Sequence, residues 1–123
     1  MTVPSHLRYT SDHEWIAIGD AVPRVGITRF AADALGDIVY LDLPEPGREV
    51  RAGEPCGEVE STKSVSDLLA PADGVIEAVN PAVTEDPALV NADPYANWLF
   101  SLRLTGTPDL LDAAAYQDLT GGA

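Results

Sequence analysis

Few residues in this chain of 123 have types and settings that could do chemistry. It holds a single lysine, Lys63, in the stretch GEVESTKSVSDLLAP (57–71), and the other six basic residues are arginines. There is one cysteine, Cys56, and there are two histidines, His6 and His13. That donor set is too thin for a metal site. No Ser/His/Asp or Cys/His grouping marks a catalytic nucleophile. Cys56 precedes a strand-like run and reads as a small core filler.

Lys63 stands out by its place. GEVEST (57–62) and SVSDLLA (64–70) are both strand-like, with no Gly or Pro between them. This predicts a tight hairpin over about 57–70 with the lysine at its tip, its backbone held from both sides. Such a tip neither buries the amine nor gives it a basic neighbour, so it makes a poor catalytic base. It makes a good attachment point, held clear of the protein body and open to a modifying enzyme. Acylation there would make the formal net charge of −13 one unit more negative.

The elements that must position this tip are short. Besides the two runs above, EWIAI (14–18), PRVGI (23–27), DIVYLDL (37–43), GVIEAV (74–79) and WLFSLRL (98–104) are rich in β-branched or aromatic residues and are punctuated by Gly, Pro, Asn and Asp. In GEVEST, Val59 and Ser61 alternate with Glu58, Glu60 and Thr62, the pattern of a half-buried strand. The reading is a mostly β protein: a small flattened barrel or sandwich with a few short helices. TRFAADALG (28–36) predicts one helix, with Thr28 as N-cap and Gly36 as stop. DPALVN, with Asp86 before Pro87, suits one short turn. Asp112 caps a C-terminal helix at about 112–119, with Leu111 and Tyr116 placed as a hydrophobic staple. The tail TGGA is expected to fray. No linker divides the chain, so residues 1–123 are read as one domain.

Composition excludes several partners. Twenty acidic residues against seven basic ones repel phosphate backbones and anionic lipid, so neither nucleic acid nor membrane is expected, whereas basic protein patches would suit. No apolar run approaches the ~20 residues of a membrane span. The stretch MTVPSHLRYTSDHEW has neither a secretory pattern nor the Arg-rich character of a transit peptide. With one cysteine and no export signal, a cytoplasmic location is expected.

At this point the residues carry a resemblance. EVESTKSVSD (58–67) followed by APADGVIEAVN (70–80) resembles the lipoyl-attachment hairpin of the H-protein family of the glycine cleavage system. YTSDHEW (9–15), VGITRFAADALGDIVYLDLPEPG (25–47), LVNADPY (89–95) and LLDAAAYQDL (110–119) resemble other blocks of that family, in the same order. The resemblance implies a barrel-sandwich hybrid fold of the lipoyl/biotinyl-carrier type and a carrier, not an enzyme. It implies lipoic acid in amide linkage to Lys63. The arm would take the aminomethyl group of glycine from glycine decarboxylase to the aminomethyltransferase and be reoxidised by dihydrolipoamide dehydrogenase, after loading by a lipoate-attaching enzyme. It also implies a cleft for the loaded arm, in which Glu14 and Asp67 hold the aminomethyl cation. Asp12 stands where the family has a serine and brings a third carboxylate to the same place.

Other departures are Thr62 where many relatives have valine, Leu69 where an aromatic is frequent, and PYANW (94–98) without the usual glycine. A biotin carrier uses the same kind of hairpin but flanks its lysine with methionines, and here the neighbours are Thr62 and Ser64. A related carrier serving lipoyl relay, a 2-oxo acid dehydrogenase or a regulatory interaction remains the alternative.

Overall fold

The computed structural model describes residues 3–106 and 109–120. In chain order the elements are β1 (Arg8–Tyr9), β2 (Glu14–Ile16), β3 (Arg24–Ile27), α1 (Arg29–Leu35), β4 (Ile38–Asp42), β5 (Glu49–Val50), β6 (Pro55–Ser61), β7 (Val65–Leu69), β8 (Gly74–Val79), α2 (Pro81–Glu85), α3 (Ala88–Ala92), β9 (Phe100–Leu104) and α4 (Ala113–Leu119). They form two antiparallel sheets, one of six strands in the order β1-β2-β3-β9-β8-β5 and one of three in the order β4-β6-β7.

The core lies between the sheets. Val25, Ile76, Phe100 and Leu102 from the larger sheet pack in one cluster with Ile38, Leu41, Val59 and Leu68 from the smaller one. Each such side chain contributes roughly 1.5–3 kcal/mol on burial. A second cluster of Leu7, Tyr9, Trp15 and Tyr116 fastens α4 to the outer strands β1 and β2. In β6, Val59 and Ser61 are buried and Glu58 and Glu60 exposed, the alternation that the sequence predicts.

Caps decide where the helices begin. Thr28 accepts from the Ala31 N–H and Gly36 closes α1 at a φ of 80°, as read from the sequence. Asp112 accepts from the Ala115 N–H, and Leu111 packs in the same cluster as the buried Tyr116. The 81–92 region differs from the expectation. Asp86 closes a helix the sequence reading missed, α2, which Asn80 caps with Pro81 just inside; α3 then follows Pro87 without a side-chain cap. A five-residue helix has too few apolar positions to show a helical period. The two-residue strands β1 and β5 were missed for the same reason, and β2 and β9 are shorter than their apolar runs. Of the tail expected to fray, residues 121–123 lie outside the described ones.

The hairpin seats closely on β4. At Gly57 an added Cβ would run into the main-chain oxygen of Asp42. Backbone on the opposing side cannot rotate away as a side chain can. Gly57→Ala is therefore expected to destabilise the protein by about 1–3 kcal/mol, read as a lower urea midpoint with an unchanged slope.

Candidate functional site

The β6–β7 hairpin turns through Thr62, Lys63 and Ser64. Its pairing reaches Glu60 opposite Val65, and the Ser61 N–H closes the turn on the Ser64 carbonyl at 2.8 Å. The Ser61 hydroxyl oxygen accepts from the N–H groups of Lys63 and Ser64, each at 3.2 Å. Thr62 donates its N–H outside the hairpin, to the Asp37 carbonyl at 3.1 Å. All three tip donors are thus satisfied, so the backbone is fixed while the Lys63 side chain is exposed. In one respect the expectation of a lysine held clear of the protein body needs correction. The stem lies along Gly36, where an added Cβ would stand 3.0 Å from Lys63 Cε. With φ of 80°, this position suits glycine on both counts.

Beside the hairpin lies a cleft of about 360 Å³ between α1, the loop before β2, and β7. Asp12, Glu14 and Asp67 all line it, against apolar walls from Ile27, Leu35, Val59 and Leu68. The three acids nominated from the sequence therefore meet in one place, although 55 residues separate Asp12 from Asp67. Lys63 is not part of the lining; Ser66, three residues along the strand, is. Asp12 and Asp67 are exposed, and Asp67 pairs opposite the equally exposed Glu58 at the rim.

Glu14 differs from both. It is only 3% exposed. One carboxyl oxygen accepts from the Leu69 N–H at 3.0 Å and the other from the Thr10 hydroxyl at 3.1 Å. Burial pushes its carboxyl up to about 8; those two hydrogen bonds pull it down, and the Asp12 charge adds to the rise. Thr10 and the Leu69 N–H were missed by sequence reasoning. Thr10 does stand four residues before Glu14, but the signal for the Leu69 contact is tertiary.

His13, between the two acids, has the left-handed φ of 68° that non-glycine residues rarely adopt. Contacts with distant residues hold it. Its carbonyl accepts from the Thr28 N–H at 3.0 Å, its ring packs against Phe30, and Nδ1 lies 2.8 Å from the Tyr116 hydroxyl. The same hydroxyl lies 2.8 Å from Thr28 Oγ1. Both hydroxyl protons are satisfied when Thr28 donates to Tyr116 and Tyr116 donates to Nδ1 of a neutral His13. Burial, outweighing the Asp12 charge, shifts His13 toward that neutral form. Cys56 is a buried core residue, as expected, and burial pushes its thiol up to about 11.

The pH dependence of stability follows from Glu14. In the unfolded chain it loses its proton near 4.5, whereas the folded chain holds it to about 8. Between those values the folded state binds more protons, so this group's contribution falls as pH rises. Thermal unfolding of wild type and Glu14→Gln across that window should show a smaller fall for the variant, by about 4 kcal/mol. Parallel curves would mean that Glu14 titrates normally.

Comparisons with known proteins all point to one family. The family model described as "Glycine cleavage H-protein" matches residues 7–120. The glycine cleavage system H protein of Beutenbergia cavernae is 53% identical over 123 residues, covering 99% of each chain. That of Thermobifida fusca is 53% identical over 124 residues, covering 99% of this chain and 98% of the relative. The crystal structure of a glycine cleavage system H protein from Mycobacterium marinum superimposes with a TM-score of 0.91 at 52% identity, covering 97% of this chain and 99% of that one. With its fold and nearly its whole length in agreement, the chain belongs to the glycine cleavage H-protein family.

Proposed function

We propose that this protein is the lipoyl carrier of the glycine cleavage system, with lipoic acid in amide linkage to Lys63. It takes the aminomethyl group of glycine from glycine decarboxylase to the aminomethyltransferase, with dihydrolipoamide dehydrogenase as third partner. The carrying observation is the exposed Lys63, on a turn with no free backbone donor, beside a cleft lined by three carboxyl groups. Its own chemistry is that of a carrier, not a catalyst. The buried single thiol suits a reducing cytosol.

Attachment forms one amide bond. The Lys63 amine attacks a lipoyl acyl-adenylate, AMP leaves, and the nitrogen gives up a proton. When bound, the lipoyl group supplies a dithiolane sulfur that accepts the aminomethyl group as carbon dioxide leaves glycine. The lysine stem and lipoyl chain together have about a dozen bonds advancing ~1.2 Å each, a reach of roughly 14 Å. Ser66, on the cleft wall, is three strand residues from Lys63, roughly 10 Å away. The residues present therefore fit the group: the cleft is within reach, apolar along its walls and anionic at its end. There Asp67 and Asp12 face the solvent side, and Glu14 accepts from deeper in. An ammonium docked beside Glu14 would favour its carboxylate form, opposing the effect of burial. The walls keep water from a group that can otherwise lose ammonia and formaldehyde.

Two experiments test this reading. Lipoate ligase with ATP and lipoate should add one lipoyl group to wild type, mapped to Lys63, and none to Lys63→Arg. The variant should change stability by less than about 0.5 kcal/mol, as an exposed substitution does, and lose all carrier activity in a reconstituted glycine-cleavage assay. Residual carrier activity would remove Lys63 from the role. The cleft is tested by release of ammonia and formaldehyde from loaded carrier without partner enzymes. Removing one charge-assisted hydrogen bond shifts docked against free arm about tenfold, so Glu14→Gln combined with Asp67→Asn should speed release at least that much. Release at the wild-type rate would take the cation-holding role from both residues.

A further inference from the structure

The turn that displays Lys63 is anchored from two sides. Ser61 satisfies the N–H groups of Lys63 and Ser64 from within the hairpin. The Thr62 N–H depends on Asp37, in the link between α1 and β4. One side chain grips both neighbours of Asp37. Asn91 of α3 donates from Nδ2 to the Gly36 carbonyl at 2.8 Å and accepts at Oδ1 from the Ile38 N–H at 2.9 Å. The planar amide does for residues 36 and 38 what a neighbouring strand would do, and leaves the Asp37 carbonyl turned to Thr62. The backbone of Asn91 is itself held: Arg29, at the start of α1, donates to the carbonyls of Asn91 and Ala92 at 2.6 and 3.1 Å. Gly36, the residue Asn91 holds, is also the one along which the Lys63 stem lies.

We propose that Asn91 is a positioning residue for the attachment lysine. Its amide keeps Gly36–Asp37–Ile38 in the shape that satisfies Thr62 and seats the Lys63 stem, and so sets how the amine is presented to the enzyme that acylates it. This rests on the reading of Lys63 as the lipoyl attachment point. The position calls for a donor and an acceptor on one short planar group. A carboxylate there would set a second acceptor against the Gly36 carbonyl, and alanine would leave both backbone groups without that partner. Asn91 does not touch the amine in this arrangement, so its loss slows attachment without preventing it.

The test compares wild type, Asn91→Ala, Asn91→Asp and Lys63→Arg as substrates of lipoate ligase with ATP and lipoate, with amide hydrogen exchange measured on each unmodified protein. Both Asn91 variants should accept one lipoyl group, with kcat/KM lower by about tenfold, the scale of one or two lost hydrogen bonds. Exchange should quicken at Thr62 and Ile38 while the amides of β8 and β9 keep their protection. The ratio of Asn91→Asp to wild type should recover as pH falls, because a protonated carboxyl regains the donor. Wild-type kcat/KM in both variants overturns the proposal. Protection lost evenly through β8 and β9 also overturns it, since Asn91 would then be a general stabiliser. Lipoylation of Lys63→Arg overturns instead the underlying assignment of the lysine, a failure visible separately from the Thr62 result.

Discussion

The hydrogen bond from the Leu69 N–H to the Glu14 carboxyl group, 3.0 Å long, joins the two halves of the candidate site. β7 is the edge strand of the small sheet and has no partner strand on its outer side. An edge N–H must find water or another acceptor. Glu14 supplies that acceptor from β2, an element of the other sheet, and so sews the base of the hairpin to the loop that carries Asp12. The lysine end of the same strand is left exposed. The hairpin is thus fixed at the cleft and open at its tip.

That arrangement places a carboxyl group where burial disfavours its charge. A fully solvated acid would tolerate its charge more easily but would not close the strand edge. A neutral amide would close the edge but offer a docked ammonium no charge. Glu14 closes the edge and keeps a group that can ionise, with its proton affinity raised to about 8 by burial. The side chain that closes the strand edge is therefore also the buried acid of the cleft.

The loop bearing Asp12 and Glu14 is held from the far end of the chain. His13 occupies a left-handed conformation that costs a non-glycine residue about 1 kcal/mol or more, so its surroundings must enforce it. Tyr116 of α4 does so through one hydroxyl that touches both His13 and the N-cap threonine of α1, while its ring stacks on Tyr9 with centroids 4.8 Å apart. The C-terminal helix is thereby part of the cleft's framework, although none of its residues lines the cleft.

Much of this was legible in the sequence. Strand alternation around Val59, the caps Thr28, Gly36 and Asp112, and the absence of any break between the two hairpin strands are local properties. They act within a few residues, so composition and spacing determined the mostly β fold and the place of Lys63 at a tip. Resemblance between blocks nominated Glu14, Asp67 and Asp12 but not their different settings. Only the tertiary structure decided that Glu14 is buried and bonded to an edge strand while Asp12 and Asp67 stay in water, that the Lys63 stem lies along Gly36, and that Asn91 and Tyr116 brace the site from distant elements. Each of these depends on groups brought together across 27 to 103 positions of chain. Burial and hydrogen-bond partners at that range are set by how the sheets pack, which no local period or spacing encodes.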